Sequence, residues 1–396
     1  MLADRIKTLA PSPTLAIQVQ TQAMHARGID VISFSAGEPD FDTPERIKEA
    51  ALRAIRMGRT KYTDPSGILE LREAVCQKLK RDNGLDYGPD EVLVSCGAKH
   101  TLYNLAVALL NPGDEVLVPA PYWVSYPEQV KLVGGVPVSV GTEEAGGFQV
   151  DPARLRAALT PGTRALVINS PNNPTGAVLS PDVLRAVAEL AVREDVLLIS
   201  DECYEALTYG ARHVSIASLG PEVKARTVVV NTCSKAYAMT GWRIGYAAGP
   251  RALIKAMGVV QSQVTSNPSS IAQWAAVEAL AGPQDEVAKM VGEFDVRRRV
   301  MVQRLNGIPG VSCVMPLGAF YAFPNVGGLF GKRWEGKALE GSVDVTAFIL
   351  EAARVAVVPG LDFGSDAHVR LSYATGLETI EEGLARMDTA IRSLGT

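Results

Sequence analysis

Four short stretches carry side chains whose types and spacing could do chemistry. The first is TCSKAYAMTGWRIGYA, which holds Thr232, Ser234, Lys235 and Arg243. A lysine amine attacks an aldehyde only after losing its proton, which burial and neighbouring cations favour. Arg243 offers a rigid fork of donors for phosphate oxygens, and Thr232 and Ser234 add neutral donors. Taken alone, a lysine is in the great majority of cases a solvated surface residue, and only its place among the other motif-bearing stretches favours the chemical reading. In SDECY, Asp201 could hold a pyridine nitrogen protonated, with Tyr204 three residues on, or it could simply cap a helix. In SPNNPTG, Asn173 could donate to a phenolate oxygen or satisfy its own turn. In CGAKH, Gly97 and Ala98 open a helix whose first N–H groups suit an anion, although a turn of small residues also serves mere packing.

Each stretch follows a β-branched run: EVLVS (91–95), ALVIN (165–169), VLLIS (196–200) and TVVVN (227–231). With EVLVP (115–119), VPVSV (136–140) and IGYAA (244–248), these runs alternate with helical patterns, the mark of a mostly parallel seven-stranded sheet in an α/β domain. Ligands of open sheets gather beyond the strands' carboxyl ends, which is where all four stretches fall. Ser180-Pro181 opens one helix, and Asn111-Pro112-Gly113 closes the one beginning near Lys99. Thr43-Pro44 starts an amphipathic helix to Gly58, and Ile68, Leu71, Val75 and Leu79 repeat at helical spacing, a pair read as a subunit-facing wrap. A helix over 285–306 leads into VSCVM (311–315) and AFYAF (319–323), then a helix near 343–353 and the strands VAVVP (355–359) and HVRLSY (368–373). That pattern describes a smaller α+β domain, with 324–342 an irregular surface segment. The expected division is 1–40 as N-terminal arm and part of the small domain, 41–285 as the large domain and 286–396 as the small one.

The net charge of -4, without a run of like charges, disfavours nucleic acid and anionic membranes as partners. The five cysteines are odd in number and lack C-x-x-C pairing, which argues against a disulfide framework or zinc knot and for a reducing cytoplasm. His25, His100, His213 and His368 are scattered without ligand spacing, so no metal is expected. No apolar run approaches the roughly 18 residues of a membrane span, and the N-terminus lacks a signal pattern.

FSAGEPDF, NNPTG, SDECY, SKAYAMTGWRIGY and VRLSYA occur in this order, and with them nearly the whole chain resembles the fold-type I, class I aminotransferases, most of all the bacterial aspartate aminotransferase branch. The resemblance implies pyridoxal 5'-phosphate as cofactor. It makes Lys235 the Schiff-base lysine and the general acid and base, and pairs Asp201 with the pyridinium nitrogen. It places Asn173 and Tyr204 on the phenolic oxygen and Trp123 on the ring face. Gly97, Ala98, Thr232, Ser234 and Arg243 are implied to hold the phosphate, joined by Tyr62 from a neighbouring subunit, hence a homodimer with shared active sites. Arg370 is implied to clamp the substrate α-carboxylate, with Asn173, Trp123 and the backbone of Gly37. Trp123 as a core residue, or Arg370 as a strand arginine paired to a surface carboxylate, are the plainer alternatives.

For specificity, GVVQSQVTSNPSSIAQWA lacks the arginine by which one branch reads a distal carboxylate. The branch resembled here implies Lys99 and Thr14 instead, favouring L-aspartate and 2-oxoglutarate as the substrate pair, unless Lys99 is a solvated first-turn residue. Relatives that aminate prephenate carry a lysine where Ala10 stands, so that activity is not expected. The same cofactor site would also serve aromatic, alanine or kynurenine transamination, or carbon–sulfur lysis. A transcription regulator on this fold would need a DNA-binding module of about 60 residues, more than precede FSAGEPDF.

Overall fold

In the computed structural model residues 3–7, 9–10 and 13–395 are described, with the side chains of 4, 5, 13 and 14 excepted. The β-branched runs form β1 (Val92–Ser95), β2 (Glu115–Ala120), β3 (Val136–Gly141), β4 (Thr163–Asn169), β5 (Leu197–Asp201), β6 (Thr227–Thr232) and β7 (Gly245–Ala248). They make one sheet in the order β1-β7-β6-β5-β4-β2-β3. Its strands run parallel except β7, which lies antiparallel between β1 and β6. Every residue of β1, β6 and β7 is buried, because helices cover both faces.

On one face the Leu69–Asn83 helix packs Leu71, Val75 and Leu79 against Val92, Val94 and Tyr246. It stops at Gly84, whose left-handed φ of 67° a Cβ would strain. Further along the same face, the Pro181–Arg193 helix packs Leu184, Val187 and Ala191 against Leu117, Leu166 and Leu198, while Leu102 and Leu105 of the Ala98–Leu109 helix cover Leu93, Val228 and Val230 on the other. The Pro181–Arg193 helix is capped at its start by the Ser180 hydroxyl, which accepts from the Val183 N–H at 3.2 Å. The stretch read as a subunit-facing wrap therefore spends its inner side on this chain's own core: Ile47, Leu71, Val75 and Leu79 are fully buried, while Leu52, Ile55 and Met57 stay exposed.

The C-terminal part holds a three-stranded antiparallel sheet of β8 (Tyr321–Ala322), β9 (Val358–Pro359) and β10 (Val369–Ser372), with β10 central. VAVVP is not one strand: Val355–Ala356 instead pairs in parallel with Ile32–Ser33, tying the N-terminal segment to this part. VSCVM is not a strand either; Ser312 makes a single bridge to Asn325, in a run bounded by the left-handed Gly310 and by Pro316. The helix near 343–353 is a Ser342–Phe348 α-helix continued by a π-turn. Within 324–342, Val326, Leu329 and Leu339 are buried, since apolar side chains dock into the core around Phe348; only the tip around the Arg333–Trp334 and Lys337–Ala338 hairpin suits the surface reading.

One glycine locks the two parts together. Gly176 has φ 68°, and a Cβ there would collide with Pro316, while its carbonyl accepts from the N–H groups of Leu317 and Gly318 at 2.9 and 2.8 Å. Gly176→Ala is expected to cost about 1–3 kcal/mol through overpacking at a left-handed position. An unchanged urea midpoint would contradict this tight approach.

Candidate active site

The sheet register brings the four motif-bearing strand ends side by side. Asn169 pairs with Asp201, and Gly245 lies opposite both Ser95 and Thr232. Gly245 is required there because a Cβ would strike the Ala98 backbone. Beyond these ends opens a cavity of about 290 Å³ lined by Gly37, Ala98, Lys99, Trp123, Asn173, Asp201, Tyr204, Thr232, Ser234, Lys235, Arg243 and Arg370. Gly97 lies directly behind Ala98, with φ 86° and no room for a Cβ beside the Arg243 guanidinium. Tyr62 is not part of this cavity and is 91% exposed. The Thr14 side chain lies outside the described residues.

Lys235 donates from Nζ to the Gly37 carbonyl at 2.5 Å. Burial brings its amine down to about 8, with Arg370 and Arg243 acting in the same direction against Cys203 and Glu38. Asp201 sits at the end of β5, 3% exposed. No helix follows it, so it is not a helix cap; its Oδ1 accepts from the Cys203 N–H at 3.1 Å. Its Oδ2 accepts from the Tyr126 hydroxyl at 2.6 Å. Burial pushes the carboxyl up, and the Cys203 and Tyr126 donors pull it back. A cationic ring nitrogen would add the counter-charge that desolvation calls for.

The two asparagines of SPNNPTG divide their work. Asn172 closes the turn, its Oδ1 accepting from the Thr175 N–H at 3.0 Å, while Asn173 sends its Oδ1 to Arg370 Nη1 at 3.1 Å. Arg370, 2% exposed, also donates from Nη2 to the Ser35 carbonyl at 2.8 Å. Its Nε has no partner, and its guanidinium lies 4.5 Å from the Tyr321 ring centre. Among the described residues no carboxylate pairs with it; its hydrogen-bond partners are the Asn173 amide oxygen and the Ser35 carbonyl. A desolvated guanidinium left in this state calls for an anion.

A second anion site lies beside Lys235. Arg243 donates to the Thr240 carbonyl at 2.8 Å and makes no ion pair among the described residues. The Thr232 and Ser234 hydroxyls meet at 2.9 Å on the same wall, and the Ala98–Leu109 helix points its N-terminus at the cavity's edge. A guanidinium, two hydroxyls and a helix N-terminus fit a phosphate. With Lys235 for an aldehyde and Asp201 for a ring nitrogen, the donor set fits pyridoxal 5'-phosphate. Lys99 stands exposed on the first helical turn with its Nζ 5.0 Å from the Trp123 ring centre, and desolvation and then Arg243 lower its pKa.

Sequence reading missed Tyr126 and Tyr321. Tyr126 packs edge-on against Trp123 at 5.4 Å while holding Asp201, and the Tyr321 hydroxyl meets that of Tyr204 at 2.8 Å. The spacing Trp123-x-x-Tyr126 was the available signal for the first; nothing local marked the second, which comes from β8.

Labelling of Lys235 by a small aldehyde in cofactor-free protein should rise with pH about a midpoint near 8, because only the neutral amine reacts. A midpoint at the ordinary lysine value of 10.5 would contradict the desolvated site.

A model of the family described as aminotransferase class I and II matches residues 29–387. The aspartate aminotransferase of Geobacillus stearothermophilus is 51% identical over 390 residues, covering 98% of each chain. An aspartate/prephenate aminotransferase of Cereibacter sphaeroides is 49% identical, covering 98% of this chain and 97% of the relative. The crystal structure of the aspartate aminotransferase from Rhizobium meliloti covers all of both chains at a TM-score of 0.97 and 47% identity. Similarity of this extent, over a site built in this way, makes the chain a member of the class I and II aminotransferases, with the fold-type I architecture.

Proposed function

We propose that the chain transfers the amino group of L-aspartate to 2-oxoglutarate, giving oxaloacetate and L-glutamate, with pyridoxal 5'-phosphate as its cofactor. The observation that carries this reading is the pair of arginines without a carboxylate partner, Arg243 and Arg370, acting on one buried lysine amine in one cavity. The aspartate aminotransferases to which the chain is similar support the substrate pair.

When bound, the cofactor supplies an electron sink that weakens the bonds at the substrate Cα. Asp201, held by Tyr126, keeps the ring nitrogen protonated. Asn173 and Tyr204 donate to the ring oxygen, and Trp123 covers the ring face. Gly97, Ala98, Thr232, Ser234 and Arg243 take the phosphate. Arg370, with Asn173, Trp123 and the Gly37 backbone, takes the substrate α-carboxylate and so orients the Cα–H bond. Lys235 Nζ, with its lowered pKa, would take the proton from Cα as general base and deliver it to the cofactor's C4′ as general acid. Lys99, with Thr14, reads the side-chain carboxylate; its partly desolvated ammonium gains from an anionic partner.

The same reading includes a cytoplasmic homodimer in which Tyr62, exposed on this chain, completes the phosphate site of a second copy. It divides the chain into a large cofactor-binding domain, 41–285, and a small domain, 286–396, joined by part of 1–40. Ala10 supplies no cation where relatives that also aminate prephenate carry lysine, so arogenate is not an expected product.

Stopped-flow absorbance of the holoenzyme against aspartate, glutamate, alanine, tyrosine, phenylalanine and kynurenine tests the activity. Fastest loss of the aldehyde-form band is expected with aspartate and glutamate; fastest loss with a neutral or aromatic amino acid would overturn the acidic specificity. Lys235→Ala should abolish turnover in a folded protein. Arg370→Lys, which loses the bidentate fork, should lower kcat/KM for every substrate about 10–100-fold. Lys99→Ala should lower it about tenfold for aspartate and glutamate only, and an equal loss for alanine would remove its assigned role.

A further inference from the structure

The turn that follows β5 presents two faces. Asp201 and Tyr204 line the active-site cavity, whereas Glu205 lines a second cavity of about 390 Å³ behind it, and Cys203 and Thr232 belong to both walls. Folding also brings the sequence-isolated His213 here. Its side chain is 8% exposed, that of Glu202 1%, of Glu205 10% and of Lys78 6%.

The contacts of this rear cluster are closely specified. Glu205 Oε1 takes the Lys78 ammonium and the Asn231 amide, the latter at 2.6 Å, and Glu205 Oε2 takes the Asn83 amide at 2.6 Å. Glu202 Oε1 accepts from the hydroxyls of Ser200 and Ser215 at 2.8 and 2.6 Å, and its Oε2 faces His213 Nε2 at 3.2 Å. His213 Nε2 lies 3.9 Å from Glu205 Oε2. Burial opposes a charge on His213, but Glu202 and then Glu205 raise its pKa overall, and the Lys78 ammonium lies against Glu205 in the same cluster. Glu202, Glu205 and His213 also bring potential metal-ligand atoms within 4.8 Å of one another, but Lys78 already supplies positive charge at that place.

From Glu205 a line of hydrogen bonds reaches the other cavity. Asn231 Oδ1 accepts from the Thr232 N–H at 2.7 Å, the Thr232 hydroxyl donates to the Ile244 carbonyl at 2.7 Å, and it meets Ser234 Oγ at 2.9 Å. A buried amide side chain can present either its oxygen or its NH₂ to a given partner, and only a partner at the other end decides which. The Glu205 carboxylate takes the Asn231 NH₂ and thereby commits the Asn231 oxygen to the Thr232 N–H.

We propose that Glu205 is a positioning residue for the phosphate site: held from behind by Lys78 and Asn83, it fixes the Asn231 amide and so sets the Thr232 and Ser234 hydroxyls that face the cavity. This rests on the phosphate reading given above. Its signature is selective, because the hydroxyls serve the phosphate and not the ring.

The test titrates full-length, cofactor-free protein with pyridoxal 5'-phosphate and with pyridoxal, following tryptophan fluorescence, and takes the ratio of the two dissociation constants. Wild type should show a strong preference for the phosphorylated ligand. Glu205→Gln and Asn231→Ser should each weaken pyridoxal 5'-phosphate about tenfold while pyridoxal changes less than about twofold. Folded variants that keep the wild-type ratio, or that lose both ligands equally, would overturn the proposal. If Glu205→Gln does not fold, Asn231→Ser, which leaves the ion cluster whole, decides the matter. A wild type without phosphate preference would overturn the phosphate reading itself and this proposal with it.

Discussion

Positive charge gathered in one cavity, without carboxylate partners among the described residues, governs this molecule. Arg370 is buried with its Nε unbonded, Arg243 rests on backbone carbonyls, and Lys235 lies close enough to both that they lower its pKa. Burying Arg370 in this way costs stability that a bound anion offsets. The surrounding scaffold must therefore be stiff enough to hold like charges together. The chain meets that demand with a fully buried sheet centre and with glycines wherever the backbone approaches the site, Gly97 and Gly245 above all.

The site is assembled from parts that are distant along the chain. Arg370 arrives on β10, its guanidinium shared between Asn173 after β4 and the Ser35 carbonyl, so three separate segments meet at one buried arginine. Gly176 fastens the loop after β4 to residues 316–318 of the C-terminal part. On the opposite wall, the turn after β5 keeps its orientation through the ion cluster behind it, where Lys78 and Asn83 of one helix grip Glu205. Residues facing the two cavities alternate along this single turn, with Asp201 and Tyr204 on one side and Glu205 on the other.

The seven sheet strands were legible because β-branched runs between helical patterns leave few other solutions, and the four motif-bearing ends followed from strand direction. The short C-terminal strands were less legible. VAVVP reads as one strand, yet Val355–Ala356 and Val358–Pro359 pair with different partners, a choice made by Ile32–Ser33 and Val369–Ser372 far away in sequence. VSCVM has strand-like residues but gains only one bridge, since left-handed Gly310 and Pro316 bound it. Within the site, local reading could not tell whether Asp201 capped a helix or which asparagine of SPNNPTG closed the turn.

The sequence by itself determined the fold class, the strand ends and the chemical types gathered at them, because periodicity and residue chemistry are local properties. It also placed Lys235, Asp201, Asn173 and Arg370 in recognisable motifs. Only tertiary structure decided that Arg370 meets no carboxylate among the described residues, that Tyr126 holds Asp201, and that His213 joins Glu202 and Glu205 in one buried cluster. Those outcomes depend on desolvation and on partners distant in sequence, and neither exists until the chain has folded.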